Sequence, residues 1–135
     1  MTTFAGGCLC GRVRYTVSAE PVFIGVCHCR DCQRATGSAF APVLGFPKDA
    51  VRIAGELRTY EGSGDSGQAT YRSFCPNCGS GISDEVAVMP GVLMILAGSL
   101  DDPSAVQPSM EIYCNSAQLW VNLAGERQRF PGMPG

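Results

Sequence analysis

Three short segments hold seven of the chain's eight cysteines: Cys8-Leu9-Cys10, Cys27-His28-Cys29-Arg30-Asp31-Cys32 and Cys75-Pro76-Asn77-Cys78. Thiolate sulfur is a preferred zinc ligand, and a closed tetrahedral site takes four protein ligands. Seven ligands therefore divide into one complete site and one site of three, whose fourth position is left to water or an exogenous ligand. Disulfides are the competing use of so many cysteines. Thiols two or three residues apart rarely reach the separation and orientation of an unstrained disulfide, so the spacing favours metal.

The complete site falls to Cys8, Cys10, Cys75 and Cys78. Both segments place two cysteines in a tight turn followed by glycine, Gly11 and Gly79. Glycine adopts positive φ without a Cβ penalty, which lets backbone N–H groups turn toward the sulfurs. A zinc ion here would join the start of the chain to its middle, and metal binding would be part of folding. The alternative is a set of buried, unligated cysteines.

The remaining three, Cys27, Cys29 and Cys32, lie within six residues and could converge on one ion. Three thiolates leave a divalent zinc with one net negative charge, which blunts its Lewis acidity. Such an ion suits a soft incoming ligand, above all a second molecule's thiol, and holds that thiolate beside an electrophile. The cysteines would be ligands and the substrate's sulfur the nucleophile. A closed second site remains open as an alternative, completed by His28 or Cys114. His28, flanked by two ligands in an extended segment, would point to the opposite side and serve through hydrogen bonds. Cys114, in the strand-like Met110-Glu111-Ile112-Tyr113-Cys114, reads as a small core residue.

These segments must be positioned by strands. Arg12 to Val17 alternates polar and apolar residues, the mark of a half-buried strand. Further strands are expected over Pro21–Val26, Phe40–Phe46, Val51–Ala54, Leu57–Glu61, Ala69–Phe74, Ile82–Val88, Val92–Ala97 and Met110–Cys114, with glycine and proline between them. One short helix fits, Asp31–Thr36, stopped by Gly37. Glu61–Gln68 carries three glycines and no periodicity, so it reads as a hairpin tip. The tail from Phe130 to Gly135 is expected to be loosely ordered.

Composition sets outer limits. At 135 residues with 45% hydrophobic and 16% charged, residues 1–135 fit one compact domain. Ten Lys and Arg against twelve Asp and Glu give a net charge of −2, no footprint for nucleic acid. No signal sequence or membrane span is read: Met1 to Gly7 lacks a basic and an apolar region, and Val86–Leu100 is interrupted by Met89-Pro90-Gly91. A soluble, cytoplasmic protein is expected. The sequence carries no signal for an oligomeric state.

In order and spacing, Gly6-Gly7-Cys8-Leu9-Cys10-Gly11-Arg12-Val13-Arg14-Tyr15, then Cys27-His28-Cys29-Arg30-Asp31-Cys32-Gln33-Arg34-Ala35-Thr36-Gly37-Ser38, then Phe74-Cys75-Pro76-Asn77-Cys78-Gly79-Ser80-Gly81-Ile82 resembles the glutathione-dependent formaldehyde-activating enzyme family, which includes centromere protein V. The resemblance covers most of the chain and weakens after Leu100. It implies a mainly β fold of several coiled antiparallel sheets, the β-tent, with one short helix at most. It also implies two zinc ions, a structural one on Cys8, Cys10, Cys75 and Cys78 and a catalytic one on Cys27, Cys29 and Cys32. The implied activity is that of a carbon–sulfur lyase or synthase: glutathione binds as thiolate and adds to formaldehyde, giving S-hydroxymethylglutathione. The partners would be a small-molecule thiol and an aldehyde.

Arg30 and Arg34 beside the third ligand could hold a glutathione carboxylate, as could Arg12, Arg14 and Arg72. Gln33, Thr36 and Ser38 could line the open site, while Phe40, Phe46, Phe74 and Trp120 read as core. A different class of function is a noncatalytic zinc module for protein interaction, with both sites architectural.

Overall fold

The computed structural model describes residues 3–134, so Met1, Thr2 and Gly135 lie outside it. Eleven strands form two sheets among the described residues. The smaller joins β1 (Phe4–Gly7), β2 (Arg14–Val17) and β5 (Val51–Ala54) in the order β1-β2-β5. The larger contains β3 (Phe23–Cys27), β4 (Ala41–Pro47), β6 (Arg58–Ser63), β7 (Ala69–Phe74), β8 (Gly81–Val86), β9 (Val92–Leu96), β10 (Met110–Ile112) and β11 (Gln128–Arg129). Its order is β11-β10-β3-β4-β9-β8-β7-β6. The fold is thus mainly β, as expected. Most pairings are antiparallel, but β10 runs parallel to both β3 and β11.

The strand period of two divides the larger sheet into two chemically distinct faces. On β4, Leu44 and Phe46 turn to one side and Ala41 and Val43 to the other. On β9, Leu93 and Ile95 join the first side, Met94 and Leu96 the second. The first side meets Val13, Tyr15 and Val17 of the smaller sheet and its approach, forming the main core with Ile82, Ala97 and Leu100. Cys8 and Cys75 belong to that core; Cys27 and Cys32 belong to the second cluster. One sheet therefore separates the two groups of cysteines.

The single α-helix of the described residues, α1 (Arg30–Thr36), fits its sequence. The Cys29 side chain caps the N-terminus by accepting the Cys32 N–H, and Gly37 closes the other end at φ 71. The expected Glu61–Gln68 loop is shorter, because β6 continues to Ser63 and the tip is closed by the Gly64 N–H donating to the Gln68 carbonyl at 3.0 Å. The tail departs from expectation. The carbonyls of Phe130, Pro131 and Gly132 accept the N–H groups of Cys114, Asn115 and Tyr113, which pins the segment along β10. Trp120 is also not core: it is 77% exposed beside an exposed Leu119, in a turn closed by the Val121 N–H and the Gln118 carbonyl.

Candidate functional site

The first cysteine group is a meeting of two similar turns. After β1, the Cys8 N–H donates to the Val13 carbonyl at 3.0 Å and the Gly11 N–H returns to the Cys8 carbonyl at 3.2 Å. After β7, the Cys75 N–H donates to the Ser80 carbonyl at 3.0 Å and the Gly79 N–H to the Cys75 carbonyl at 2.8 Å. Gly11 and Gly79 both need the left-handed region, at φ 83 and φ 78. The four sulfurs of Cys8, Cys10, Cys75 and Cys78 lie within 4.8 Å of one another. Sulfurs around tetrahedral zinc with bonds of about 2.3 Å sit about 3.8 Å apart. Cys8 and Cys10 are separated by 3.6 Å and Cys10 and Cys75 by 3.8 Å, so the group fits a zinc ion. Its surroundings already favour anionic sulfur: the Val13 N–H donates to Cys8 Sγ at 3.2 Å, and the Ser80 hydroxyl and N–H hold Cys78 down to about 5.

The second group comes from the end of β3 and the first turn of α1. The Sγ atoms of Cys27, Cys29 and Cys32 lie within 4.8 Å of one another, and among the described residues this mutually close group ends at three. Cys29 Sγ accepts the Cys32 N–H at 3.2 Å. Hydrogen bonds from the Cys27 and Cys32 thiols drop Cys29 to about 2, while the same contact with Cys29 drives Cys27 far up. Without a cation the three close sulfurs thus resist ionising together. A divalent metal supplies the charge that lets all three ionise, so this donor set also fits zinc.

Two side chains from distant strands complete the surroundings. Arg72 on β7 directs Nη1 and Nη2 at Cys32 Sγ, at 3.8 and 3.9 Å, and its Nη1 lies 3.5 Å from Asp84 Oδ2 on β8. Residues 72 and 84 are register partners, which fixes their pairing. Burial raises Asp84 to about 6, despite the opposing pull of Arg72. The three cysteines, Arg72 and Asp84 all line one cavity of about 630 Å³. Tyr113 crosses its edge at φ 55, the one described non-glycine residue at positive φ, and donates its hydroxyl to Asp65 Oδ1 at 2.8 Å. Backbone strain of this kind is held in place by surrounding contacts and gathers at functional sites.

His28 turns to the other side of the strand, as alternation requires. Its Nε2 donates to Glu111 Oε1 at 2.8 Å, and it is 1% exposed. Glu111 Oε2 also accepts from Arg127 at 2.8 Å and Arg129 at 3.1 Å. Cys114 joins His28 and Glu111 in a third close group. It sits in a 3₁₀ turn, Cys114–Ser116, rather than in a strand core, and is half-buried. Two guanidinium groups already neutralise Glu111, so this group is an ion-pair hub that ties the chain's end to β3.

The other polar residues divide. Arg30 lines the cavity and donates to Gln33 Oε1 at 2.6 Å; Arg34 is exposed on α1 and is not in the lining. Gln33 is buried, with Nε2 donating to the carbonyls of His28 at 2.6 Å and Ser116 at 3.1 Å, so it clamps the helix. Thr36 Oγ1 bonds the Cys32 carbonyl, and Arg14 forms a bidentate pair with Asp101. Asp84, Glu111, Tyr113 and Asp65 carry no motif, and sequence reasoning passed over them. Asp84 lies in Gly81–Val86, where three consecutive buried residues and a register shift break the alternation, so no periodicity flags it.

A family profile described as glutathione-dependent formaldehyde-activating enzyme matches residues 3–116. None of the functionally curated proteins matches the sequence significantly. Among solved structures, a Rhodobacter sphaeroides protein superposes with a TM-score of 0.59 at 22% identity, over 77% of this chain and 91% of that one, which supports the fold alone. No described helix is long and apolar enough to cross a membrane. With both cysteine motifs and all seven clustered thiols inside the matched span, the chain belongs to the glutathione-dependent formaldehyde-activating enzyme family.

Proposed function

We propose that this protein forms or cleaves the carbon–sulfur bond between a thiol and an aldehyde, as a carbon–sulfur lyase of its family's type. The observation that carries the reading is a trio of sulfurs, Cys27, Cys29 and Cys32, opening into a cavity, while the other four cysteines close on one another at the edge of the core, with Cys8 and Cys75 buried in it. Zinc bound by the trio would supply a position where an incoming thiol ionises and is held.

The chain's own residues would do the rest. Asp84, near 6, can take the thiol proton at a carboxylate oxygen and return it to the carbonyl oxygen after addition. Arg72 balances the sulfurs' negative charge and presents a guanidinium to the oxygen on which charge develops. The apolar walls would orient the carbonyl carbon toward the sulfur. In the reverse direction the alkoxide re-forms the carbonyl and the sulfur leaves. Cys8, Cys10, Cys75 and Cys78 have an architectural role. The eight free thiols suit a reducing compartment such as the cytoplasm, and the acidic balance of the chain does not suit nucleic acid.

Zinc content per chain, followed by X-ray absorption at the zinc edge during addition of thiol, tests this. Half the zinc should pass from three sulfurs and one lighter ligand to four sulfurs. No change, with four protein ligands at both sites, would instead make this a noncatalytic zinc module.

A further inference from the structure

The cavity beside Cys27, Cys29 and Cys32 is large and apolar, and its charges are wrong for glutathione. At about 630 Å³ it lies within the usual range of ligand pockets, roughly 300–1,000 Å³. Its walls include Met89, Met94, Met110 and Met133, four of the chain's five methionines, together with Phe23 and Ile112. The strand alternation puts these apolar groups on the same face as the sulfurs: Cys27 is the register partner of Ile112, and Gly25, two residues before it, of Met110. Methionine is pliable and polarizable, so such walls accept apolar bodies of varied shape.

Glutathione carries two carboxylates and needs cations to meet them. The lining has two, Arg30 and Arg72, against three carboxylates, Asp31, Asp65 and Asp84. Arg72 faces Asp84 and Cys32, which leaves it little charge to spare for a further anion, and Arg30 spends one nitrogen on Gln33. With further negative charge on the cysteine sulfurs, anionic groups outnumber the cavity's two cations and oppose a dicarboxylate.

We infer that the adduct handled here is a hemithioacetal with an uncharged apolar body, arriving on the thiol or on the aldehyde, in place of S-hydroxymethylglutathione. The inference rests on the proposed reaction and names its substrate class. In the forward direction a sulfur–carbon bond forms as the carbonyl π bond breaks, and the thiol's proton ends on the oxygen; no redox partner is needed.

The test uses zinc-loaded protein and compares kcat/KM, above the uncatalysed rate, for 2-phenylethanethiol with formaldehyde, 2-mercaptoethanol with phenylacetaldehyde, and glutathione with formaldehyde. An apolar pair should exceed the glutathione pair by at least about tenfold, a margin that modest apolar contacts supply. Whichever apolar arm leads identifies the component that carries the body. Glutathione equal or faster overturns the inference and leaves the reaction standing. If no pair turns over, calorimetric titration with the two thiols decides: tighter binding of 2-phenylethanethiol by about tenfold keeps the apolar site and removes the reaction, and equal or weaker binding removes both. Met94→Arg should shift preference toward glutathione. Val88→Asp, at an exposed position on the rim, should weaken 2-phenylethanethiol binding while zinc content stays at the wild-type value. Unchanged binding in a folded, zinc-loaded Val88→Asp protein would count against the apolar site.

Discussion

The two cysteine groups use the same ligand atom on opposite faces of one sheet, and their surroundings send them in different directions. Around Cys8, Cys10, Cys75 and Cys78, backbone N–H groups and a serine hydroxyl are spent on the sulfurs, two glycine turns carry them, and the main core lies behind Cys8 and Cys75. Around Cys27, Cys29 and Cys32 the sulfurs bond chiefly to one another, the nearest cation is a side chain from a distant strand, and the other side is a cavity. On the proposed division of roles, ligand identity does not decide what a thiolate site does. The partners of the remaining lone pairs, and the space at the fourth position, decide it.

Removing one ligand from each group should break the molecule in different ways. Cys75→Ser strikes a residue 1% exposed within the core; with structural zinc worth about 10–16 kcal/mol apparent, loss of cooperative thermal unfolding is expected. Cys29→Ser should keep a cooperative melt and one zinc per chain while abolishing turnover and thiol binding. If both variants unfold alike, the division of roles is wrong.

The next effect in size belongs to neither group. Glu111 is buried and accepts from His28, Arg127 and Arg129, and Glu111→Gln leaves the buried Arg127 guanidinium short of its anion, costing about 3–5 kcal/mol in urea unfolding. Burial would raise Glu111, but the bonds from Arg127 and His28 outweigh it and hold it below its usual 4.5. The folded state therefore binds fewer protons than the unfolded one in this range. The stabilisation is complete above about 4.5 and is lost as pH falls through the lower folded value, so Glu111→Gln should flatten the acid limb of a stability profile.

Asp84 gives the opposite sign. It holds its proton to about 6 when folded and 3.8 when unfolded, so the folded state binds more protons between these values and stability falls as pH rises through them. Asp84→Asn should remove that slope and the rise of kcat/KM near pH 6. Arg72→Gln should cut activity or metal affinity at the cavity group by about 10–100-fold and leave the core zinc in place. The smallest effect is expected for Tyr113→Phe, which deletes one exposed hydrogen bond to Asp65 and costs at most about 1 kcal/mol by equilibrium unfolding.

Much of this was legible because cysteine spacing and strand alternation are local. The seven clustered thiols, the turn glycines Gly11 and Gly79, and the Gly37 stop of α1 are read within a few residues, and the structure brings each together. What escaped is non-local. Arg72 meets Cys32 across 40 residues and Glu111 meets His28 across 83, with no short pattern to announce either. β11 spans two exposed residues and gains its place through backbone bonds to β10 and the Arg129–Glu111 pair, so no periodicity marks it. Trp120 misled for another reason: hydrophobicity measures what burial would yield, and a turn can still hold an indole in water.

The alternation along β4 and β9 also constrains how relatives of this chain can vary in length. A single residue inserted into either strand would carry Leu44 and Phe46, or Leu93 and Ile95, across to the cavity and send Val43 or Met94 into the core. Insertions and deletions should therefore collect in connections such as Gly64–Gln68, where they can reshape the cavity mouth without exchanging the faces. Across the family, the rim would then diversify by changing length while the walls diversify only by substitution, residue for residue, at every second position.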